Sequence, residues 1–316
     1  MAPRGPVRDT VPMQMYQTDQ YQGKKGTFML SSRGCPHRCT FCLWPGTLVG
    51  RDFRARAPES VVDEMEHLVR KHGVDDIYFD DDTMTLDRER LLKICRLIQG
   101  RDLKVHWIAM GRVDNLDEEL LAEMRKAGCD NLYLGVESGS EKILKRLKKG
   151  IGLGQVERAF RMARKCGIRT QAFFLLGGPG ETKDTLRQTI EFAVRLDPDS
   201  AQFSAAVPYP GTEMYEESVR KGYLRAGAWE DYAEKDAVLE TETLSGLDLE
   251  KARLEAYRRF YLRPRFILRT AMRLTSVREF RRVFRGTLSV LGRLVHFSRN
   301  VRRKTRGTPS GALEHA

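Results

Sequence analysis

Residues 27–42 read TFMLSSRGCPHRCTFC, and they join a short apolar run, Thr27–Leu30, to three closely spaced cysteines, Cys35, Cys39 and Cys42. The spacing is C-x3-C-x2-C. A four-iron cluster normally takes four cysteine ligands. Three thiolates on one short loop after a strand would therefore leave one iron open to a further ligand. The stretch predicts a strand that leads into an iron–sulfur site with one free position.

Two other interpretations of the cysteines exist. His37 could complete a four-coordinate zinc site, although four ligands within eight residues, without a second distant pair, are unusual for a zinc finger. A disulfide framework needs paired cysteines in a small secreted domain. Here the remaining three, Cys95, Cys129 and Cys166, lie scattered along a chain of 316 residues. The iron–sulfur interpretation is the leading one.

Length and composition favour a cytoplasmic protein. The length of 316 residues suits one large α/β domain with an appendage, or two ordinary domains, and a hydrophobic content of 41% supports a sizeable core. No apolar run approaches the roughly 18 residues of a membrane span. Residues 1–26 lack the apolar core of a secretory signal, and the free cysteines suit a reducing compartment. We therefore expect a cytoplasmic location.

The positive charge is concentrated near the C-terminus. Of a net charge of +12, residues 257–306 contribute 16 Lys and Arg against one acid, Glu279, so the remainder is close to neutral. A helix expected over about 276–303 has a Phe/Leu/Val face and arginines elsewhere. Such a helix favours contact with a membrane surface or an anionic partner. The alternative is a helix that packs its apolar face on the protein. Few aromatics lie between the arginines, so nucleic-acid binding is not expected.

Residues 27–222 alternate short apolar runs with amphipathic helices, which predicts parallel strands joined by right-handed crossovers. Pro58 suits a first helical turn whose apolar stripe ends at Gly73, and Asp87 is a suitable N-cap for the next helix. Further helices are expected around 117–127, 155–166, 183–196 and 248–262. The six expected strands are Thr27–Leu30, Ile77–Phe79, Val105–Met110, Leu132–Val136, Gln171–Leu176 and Ala201–Val207.

Such a sheet is either doubly wound or a full or partial barrel, and periodicity alone does not separate these. A polar or glycine-rich cluster follows each of the six strands, and parallel α/β barrels build their active sites from those loops. The expected segments are a lead-in over 1–26, the barrel over 27–222, a linker or covering segment over 223–247, and a basic helical extension over 248–316.

Two of the clusters carry carboxylates. Asp80, Asp81 and Asp82 can accept hydrogen bonds from an ammonium group; alternatively they form an acidic turn before the next helix. Glu137 with Ser138 can hold a ribose diol, because a carboxylate accepts from two hydroxyls; alternatively this segment caps a helix.

Two further clusters suit a flat ligand. Gly177 and Gly178 allow the backbone to approach such a ligand closely, although any tight turn also favours glycine. Phe41, between two cluster cysteines, can stack on an aromatic base; taken alone it is a residue for core packing. Arg112 either pairs with a carboxylate in the cavity or forms a surface salt bridge.

Five motifs together resemble the radical S-adenosylmethionine (SAM) enzymes, most closely their cobalamin-associated branch, which includes hopanoid-biosynthesis and anaerobic porphyrin-cyclase members. The resemblance covers about residues 25–225. The motifs are CPHRCTFC at 35–42, YFDDDT at 78–83, LGVESGS at 134–140, LLGGPGET at 175–182 and PYPGT at 208–212.

This resemblance implies a partial (β/α)6 TIM-like barrel in which Cys35, Cys39 and Cys42 hold a [4Fe-4S] cluster. SAM would chelate the fourth iron and be cleaved reductively to a 5′-deoxyadenosyl radical. The electron would come from a donor such as flavodoxin or ferredoxin. Water and oxygen must be excluded from such chemistry.

The resemblance also assigns SAM contacts. Phe41 matches the position beside the adenine. Asp80–Asp82 occupy the place of a Gly-Gly-Glu element that binds the methionine amino group, and since the glycines are absent here, the aspartate that makes the contact stays open. The remaining matches are Glu137 and Ser138 at the ribose, and Gly177 and Gly178 on the adenine side.

The chain differs from the cobalamin-associated relatives in the segment before its first strand. Relatives in this branch generally carry an upstream cobalamin-binding domain, whereas this chain has 26 residues before its first strand. Cobalamin would come from a partner, or would not be used, or the sequence is a shortened product.

The leading hypothesis is a radical SAM enzyme that acts on a small molecule, with lipids among the candidates, and that has access to the inner face of the membrane. A tRNA-modifying radical SAM enzyme is the alternative among enzymes, but the sequence shows neither a second cluster motif nor an RNA-binding module. A non-catalytic iron–sulfur or zinc module that binds nucleic acid is the alternative from another class.

Overall fold

A six-stranded parallel sheet organises the molecule. The computed structural model describes residues 8–10, 12, 25–225, 232, 238–272 and 277–305. All six expected strands are present. They lie in the sheet in the order β1-β4-β5-β6-β7-β8, and each strand pairs in parallel with the next one in that order. A two-residue antiparallel ribbon, β2–β3, was not predicted. The strands are β1 Gly26–Met29, β2 Ser32–Arg33, β3 Arg54–Ala55, β4 Asp76–Phe79, β5 His106–Gly111, β6 Cys129–Glu137, β7 Arg169–Leu176 and β8 Ser200–Ala205.

The predicted helices form with the predicted boundary signals. Pro58 occupies the first turn of α2, Gly73 ends it in the left-handed conformation, and the Asp87 carboxylate accepts the Arg90 amide at the start of α3. The four unpredicted helices have at most nine residues, too few for a periodic stripe. The helices are α1 Leu43–Thr47, α2 Pro58–His72, α3 Arg88–Gly100, α4 Glu118–Lys126, α5 Glu141–Arg146, α6 Leu153–Lys165, α7 Lys183–Leu196, α8 Glu213–Arg220, α9 Gly246–Tyr261, α10 Pro264–Met272 and α11 Val277–Thr305.

The sheet is curved, and its two faces differ. The convex face packs against the helices, so that Phe79, Trp107 and Leu132 are fully buried. On the concave face, the rings of Tyr78 and Tyr133 have centroids 5.7 Å apart although β5 lies between their strands. The molecule is therefore the partial α/β barrel that the family resemblance implied, and not a doubly wound sheet.

Helix α9 covers the edge of the sheet at β8. The Tyr261 hydroxyl donates to the Ala201 carbonyl at 2.7 Å and accepts from the Ala201 amide at 3.0 Å. The Tyr257 hydroxyl accepts from the Phe203 amide at 3.4 Å. Because a free strand edge exposes unpaired backbone groups, these tyrosines satisfy groups that another strand would otherwise bind.

The basic extension is anchored to the barrel. Asp197, which ends α7 with a φ of 51°, accepts from the guanidinium groups of Arg263 and Arg269. Part of the expected linker, residues 226–231 and 233–237, lies outside the described residues. Helix α9 begins at Gly246, close to the expected start of the extension.

Helix α11 presents two apolar faces where the sequence predicted one. Val290, Leu294 and Phe297 pack against the core. A second stripe faces solvent, and each of its side chains is about half exposed. The same helix therefore packs one apolar face on the protein and exposes another apolar face to solvent. The exposed stripe consists of Phe280, Phe284, Leu288, Leu291 and Val295.

Candidate functional site

The cysteine loop is held in place from several sides. At Gly34 the backbone has a φ of +91°, and a β-carbon there would lie 2.1 Å from the Asp52 carbonyl oxygen. The Cys35 amide donates to the Gly50 carbonyl at 3.3 Å. The Thr40 amide donates to the Leu147 carbonyl at 3.0 Å. Backbone contacts with three other segments of the chain therefore hold the loop in place.

Three aspartates follow β4. Two of their carboxylates are hydrogen-bonded within the protein, and the third is open to a ligand. Asp81 is buried and accepts from the amide and hydroxyl of Ser31 at 2.7 and 2.6 Å. Asp82 accepts from the Gly34 amide at 2.7 Å. Asp80 is exposed, and no side chain within the described ranges hydrogen-bonds to its carboxylate. Burial of the carboxyl and the neighbouring Asp82 raise the pKa of Asp80. Asp80 is thus the carboxylate of this cluster that remains available to a ligand.

Glu137 lies at a strained position. The register of β6 against β7 shifts between Gly135 and Glu137, and Glu137 has a φ of 69°, unusual for a non-glycine residue. Its carboxylate accepts from the Lys149 ammonium at 2.7 Å, and both side chains are about one-tenth exposed. Lys149 was missed by the sequence analysis because it ends an ordinary Lys/Arg-rich helical run. Strain of this kind clusters at functional sites.

Of the other residues predicted for this site, Phe41 lies close to Glu137, whereas Ser138 and Arg112 are bound to other parts of the protein. Lys149 lies 5.9 Å from the centre of the Phe41 ring, which brings Phe41 and Glu137 to the same region. The Ser138 hydroxyl is buried and bonds to the Thr189 hydroxyl at 3.1 Å, so it supports the loop; its contact with SAM stays a prediction. Arg112 forms a salt bridge with Asp114, a carboxylate two residues away. Because Arg112 is buried, this is not the surface salt bridge that was one of the two expectations.

The glycine loop after β7 packs closely against α9. A β-carbon at Gly177 would lie 2.3 Å from the Leu249 side chain, whereas at Gly178 it would make ordinary contacts. The Gly177 amide donates to the buried carboxylate of Glu181. Burial raises the pKa of Glu181 from its ordinary 4.5 to about 7, against the opposing effect of that hydrogen bond.

Glu181→Gln is expected to flatten the pH dependence of stability. The folded pKa is raised, so the stability from the protonated form is fully present below about pH 4.5 and is lost as pH rises through about 7. The loss amounts to about 3 kcal/mol. Urea unfolding of both proteins across this interval measures it. The exposed-site variant Glu255→Gln should retain the wild-type slope, and an unchanged slope in Glu181→Gln would contradict the assignment.

The thiols of the cysteine loop are half-buried and free. Burial raises the pKa of Cys42 to about 11 and also raises the pKa of Cys35. Both thiols are thus protonated until a metal is bound, and metal binding releases the protons. Cys95 and Cys129 are buried in the core, away from any such loop.

The positions of the three sulfurs do not match those expected at a single metal ion. Three thiolates on one zinc, each about 2.3 Å from the ion, would lie within about 4 Å of one another. Across the described ranges, the three sulfurs do not converge within 4.8 Å; the group of three that does is Asp9, His67 and His72. Ligands to three different irons are necessarily farther apart. The positions of the three sulfurs therefore do not correspond to three ligands of one zinc ion.

Comparisons with known proteins agree with this geometry. The model of the Radical SAM superfamily matches residues 29–193. An uncharacterised methyltransferase of Pyrococcus horikoshii is 34% identical over 264 residues, which is 84% of this chain and 57% of that protein. An anaerobic magnesium-protoporphyrin IX monomethyl ester cyclase of Rubrivivax gelatinosus is 31% identical over 75% of this chain and 42% of its own length. The chain spans about half the length of the curated relatives it matches.

Solved structures show the same core. The radical SAM methyltransferase TsrM from Kitasatospora setae, with cobalamin and a [4Fe-4S] cluster bound, superposes with a TM-score of 0.59 at 27% identity and covers 66% of this chain and 39% of its own. The cobalamin-dependent enzyme OxsB shares the fold, with a TM-score of 0.64 at 17% identity, over 86% of this chain and 46% of its own. The family implies a [4Fe-4S] cluster and SAM, which the cysteine loop suits. The chain belongs to the radical SAM superfamily.

Proposed function

We propose that the chain reductively cleaves SAM and directs the resulting 5′-deoxyadenosyl radical to a small, lipid-like substrate. The cysteine loop carries this proposal, because backbone contacts of the fold hold it in place and its three sulfurs do not converge as the ligands of one zinc ion would. When bound, the cluster and SAM supply one-electron reduction and hydrogen abstraction. A donor such as flavodoxin or ferredoxin would supply the electron. Whether the net reaction is a transfer, a rearrangement or an oxidation stays open.

Different residues of the chain would bind the cluster and the separate parts of SAM. Cys35, Cys39 and Cys42 would hold the cluster, and Asp80 would accept from the methionine ammonium group. Glu137 would turn from Lys149 to the ribose hydroxyls. The remaining proposed contacts are Phe41, Asp81, Asp82, Ser138, Gly177 and Gly178, of which Asp81, Asp82 and Ser138 would act through the loops that they hold.

The direct test uses anaerobically reconstituted protein. Iron and sulfide are measured, followed by EPR of the reduced sample with and without SAM, and by assay for 5′-deoxyadenosine. Cys39→Ser should lose all these signals, whereas the variant Cys166→Ser, at the half-buried residue that directly follows α6, should keep them. Bound zinc without iron would support the non-catalytic module, and specific retention of tRNA would support the RNA-modifying alternative.

Asp80→Ala is expected to weaken SAM binding at least about tenfold, since a hydrogen bond to a charged group contributes about 1.5–3 kcal/mol. Its iron content should stay at the wild-type level. Asp82→Ala is the matched control, because its loss frees the Gly34 amide and should lower iron content. Equilibrium dialysis with labelled SAM, normalised to iron, measures the first effect. Wild-type SAM affinity in Asp80→Ala would contradict the assignment.

The proposal includes the four segments predicted from the sequence and peripheral contact with the inner membrane face. Support comes from the exposed stripe of α11, which is followed along the helix by the exposed Arg299 and Arg302. Apolar side chains beside arginines suit an interface that contains anionic lipid. Among the described residues, no helix is long and apolar enough to cross a membrane. Cobalamin, if used, would come from outside the described residues.

The double substitution Leu288→Gln with Leu291→Gln is expected to weaken binding to vesicles at least about tenfold, since each leucine would lose part of the roughly 1.5–3 kcal/mol of its burial. The vesicles contain equal parts of phosphatidylglycerol and phosphatidylcholine, and flotation measures binding. Val219→Gln, on α8, removes a similarly exposed apolar group elsewhere and should have no effect. Equal flotation of the double variant and wild type would contradict membrane contact.

A further inference from the structure

Helix α1, which begins directly after the third cysteine of the loop, exposes two large apolar side chains. Trp44 is 56% exposed and Leu48 is 64% exposed. The Leu48 amide donates to the Trp44 carbonyl at 3.0 Å, so the two residues lie one turn apart on the same side of the helix. The other side of α1 packs on the protein, where Pro45 is buried. Because tryptophan is usually well buried, this side of α1 is a candidate surface for contact with another molecule.

Exposed arginines surround these two side chains. Residues 33–54 contain four arginines and no lysine, against a single acid, Asp52. Within the described part of the chain, none of the four arginines is paired with a carboxylate. Protein interfaces are enriched in tryptophan and arginine and depleted in lysine. We call this surface the α1 face, and it consists of Arg33, Arg38, Trp44, Leu48, Arg51 and Arg54.

Two of the arginines lie opposite each other in the β2–β3 ribbon. Arg33 is the partner of Arg54 in the antiparallel register, and both side chains are exposed. Like charges at directly opposite positions destabilise a pair of strands. The fold therefore retains a local repulsion, which a negatively charged partner would relieve.

The α1 face is continuous with the cysteine loop. The Arg51 guanidinium donates to the carbonyl of His37, which lies within that loop, at 2.7 Å. The Arg54 guanidinium donates to the Val49 carbonyl at 2.7 Å, and the Val49 amide donates to the Trp44 carbonyl at 3.0 Å. A protein bound to the α1 face would therefore lie against the loop that is proposed to hold the cluster.

We propose that the α1 face is the docking surface for an acidic electron-carrier protein that reduces the cluster. This inference rests on the proposed function and adds the place where the electron enters. In this step the carrier loses one electron and the oxidised cluster gains it, and no atom is transferred.

The size and charge of the α1 face suit such a carrier. Electron-transfer complexes are weak and have small interfaces, so a patch with an apolar centre and a basic rim is sufficient. Opposite charges on the two proteins accelerate their encounter. A phosphate backbone would also bind the arginines, but it would gain nothing from the exposed Leu48.

A flavodoxin and a ferredoxin that both carry a net negative charge are the probes for the test. Their binding to the full, reconstituted chain is measured by calorimetry. The affinity should fall between about 50 mM and about 300 mM salt, because salt screens exposed charges. Trp44→Ala should weaken binding at least about tenfold, as expected for a tryptophan at the centre of an interface. Phe280→Ala, on α11 and likewise 56% exposed, should leave the affinity unchanged.

Arg33→Glu separates docking from stability. This substitution places an acid opposite Arg54, so the midpoint of urea unfolding should stay at or above the wild-type value. Binding of the carrier should nevertheless weaken on the order of tenfold, because the charge of the rim is reversed. Arg158→Glu, which makes the same change of charge at an exposed position of α6, should bind like wild type. Dithionite, a small reductant, should give the same EPR signal in all these proteins.

Wild-type carrier affinity in either Trp44→Ala or Arg33→Glu, or no salt-dependent binding of either carrier, would overturn the inference. Binding of tRNA that displaces the carrier and is lost in the same two variants would also overturn it, since the α1 face would then bind nucleic acid.

The assay for 5′-deoxyadenosine with dithionite is run on the same samples. Formation of 5′-deoxyadenosine without docking of the carrier would leave the proposed function standing and refute the docking surface. Docking on the α1 face without any 5′-deoxyadenosine would refute the proposed radical chemistry while the docking surface stands.

Discussion

Gly34→Ala is expected to abolish iron incorporation while the barrel still folds. The new β-carbon would lie 2.1 Å from the carbonyl oxygen of Asp52 and 2.9 Å from its carbon, both of which are backbone atoms. The main chain must therefore move. That movement breaks the hydrogen bonds of the Gly34 and Cys35 amides to Asp82 and Gly50. Iron and sulfide analysis after anaerobic reconstitution measures the loss, and circular dichroism verifies the fold.

Gly73→Ala provides the matched control for this prediction. Gly73 also has a positive φ, +64°, but nothing lies within 4 Å of the position of its β-carbon. The Gly73→Ala variant should lose about 1–2 kcal/mol of unfolding free energy, because alanine is strained in the left-handed conformation. It should keep its full iron content. Normal cluster loading in Gly34→Ala would show that the loop is not shaped by the contact with Asp52.

Arg253→Met is expected to lower the free energy of unfolding by about 3–5 kcal/mol, the cost of leaving a buried charge without its partner. Glu250 is completely buried and pairs with Arg253 at 3.2 Å. The guanidinium also lies 4.2 Å from the centre of the Phe297 ring, where it joins α9 to α11. Methionine keeps most of the volume and removes the charge. Urea unfolding at neutral pH measures the change.

Two further variants test the cause of that loss. Arg259→Met removes the partner of the exposed Glu255 on the same helix and should cost at most about 0.5 kcal/mol. Adding Glu250→Gln to Arg253→Met should restore much of the stability, because the uncompensated charge is then removed. A loss below about 1 kcal/mol in Arg253→Met would contradict burial of an ionised pair.

The sequence predicted the sheet and the placement of the loops because apolar periodicity reports burial directly. The strands, the cap at Asp87 and the helix end at Gly73 all follow from such local signals. The short helices and the β2–β3 ribbon carry too few residues for a periodic pattern. Their positions depend on tertiary contacts, such as the hydrogen bond between the Met214 amide at the start of α8 and the Thr40 carbonyl.

The roles of individual side chains were harder to predict than their loops. Three adjacent aspartates look alike in sequence, yet Asp81 and Asp82 hold the segment that leads into the cysteine loop, whereas Asp80 stays available. Likewise the periodicity of α11 could not show that Leu294 packs inward while Leu291 faces solvent, because both lie within one broad apolar arc. Such distinctions depend on neighbouring elements that are distant in sequence.

The tyrosines of α9 have a consequence for how this chain can be shortened. The segment matched by the family ends at residue 193, before β8 begins. A fragment cut after β8 would keep every proposed cluster and SAM ligand but would lose Tyr257 and Tyr261, which satisfy the backbone of that strand. The bare edge would then be a template for strand addition between copies. We therefore expect the extension to prevent edge-to-edge association of the barrel, and a stable fragment should extend beyond the segment that the family matches.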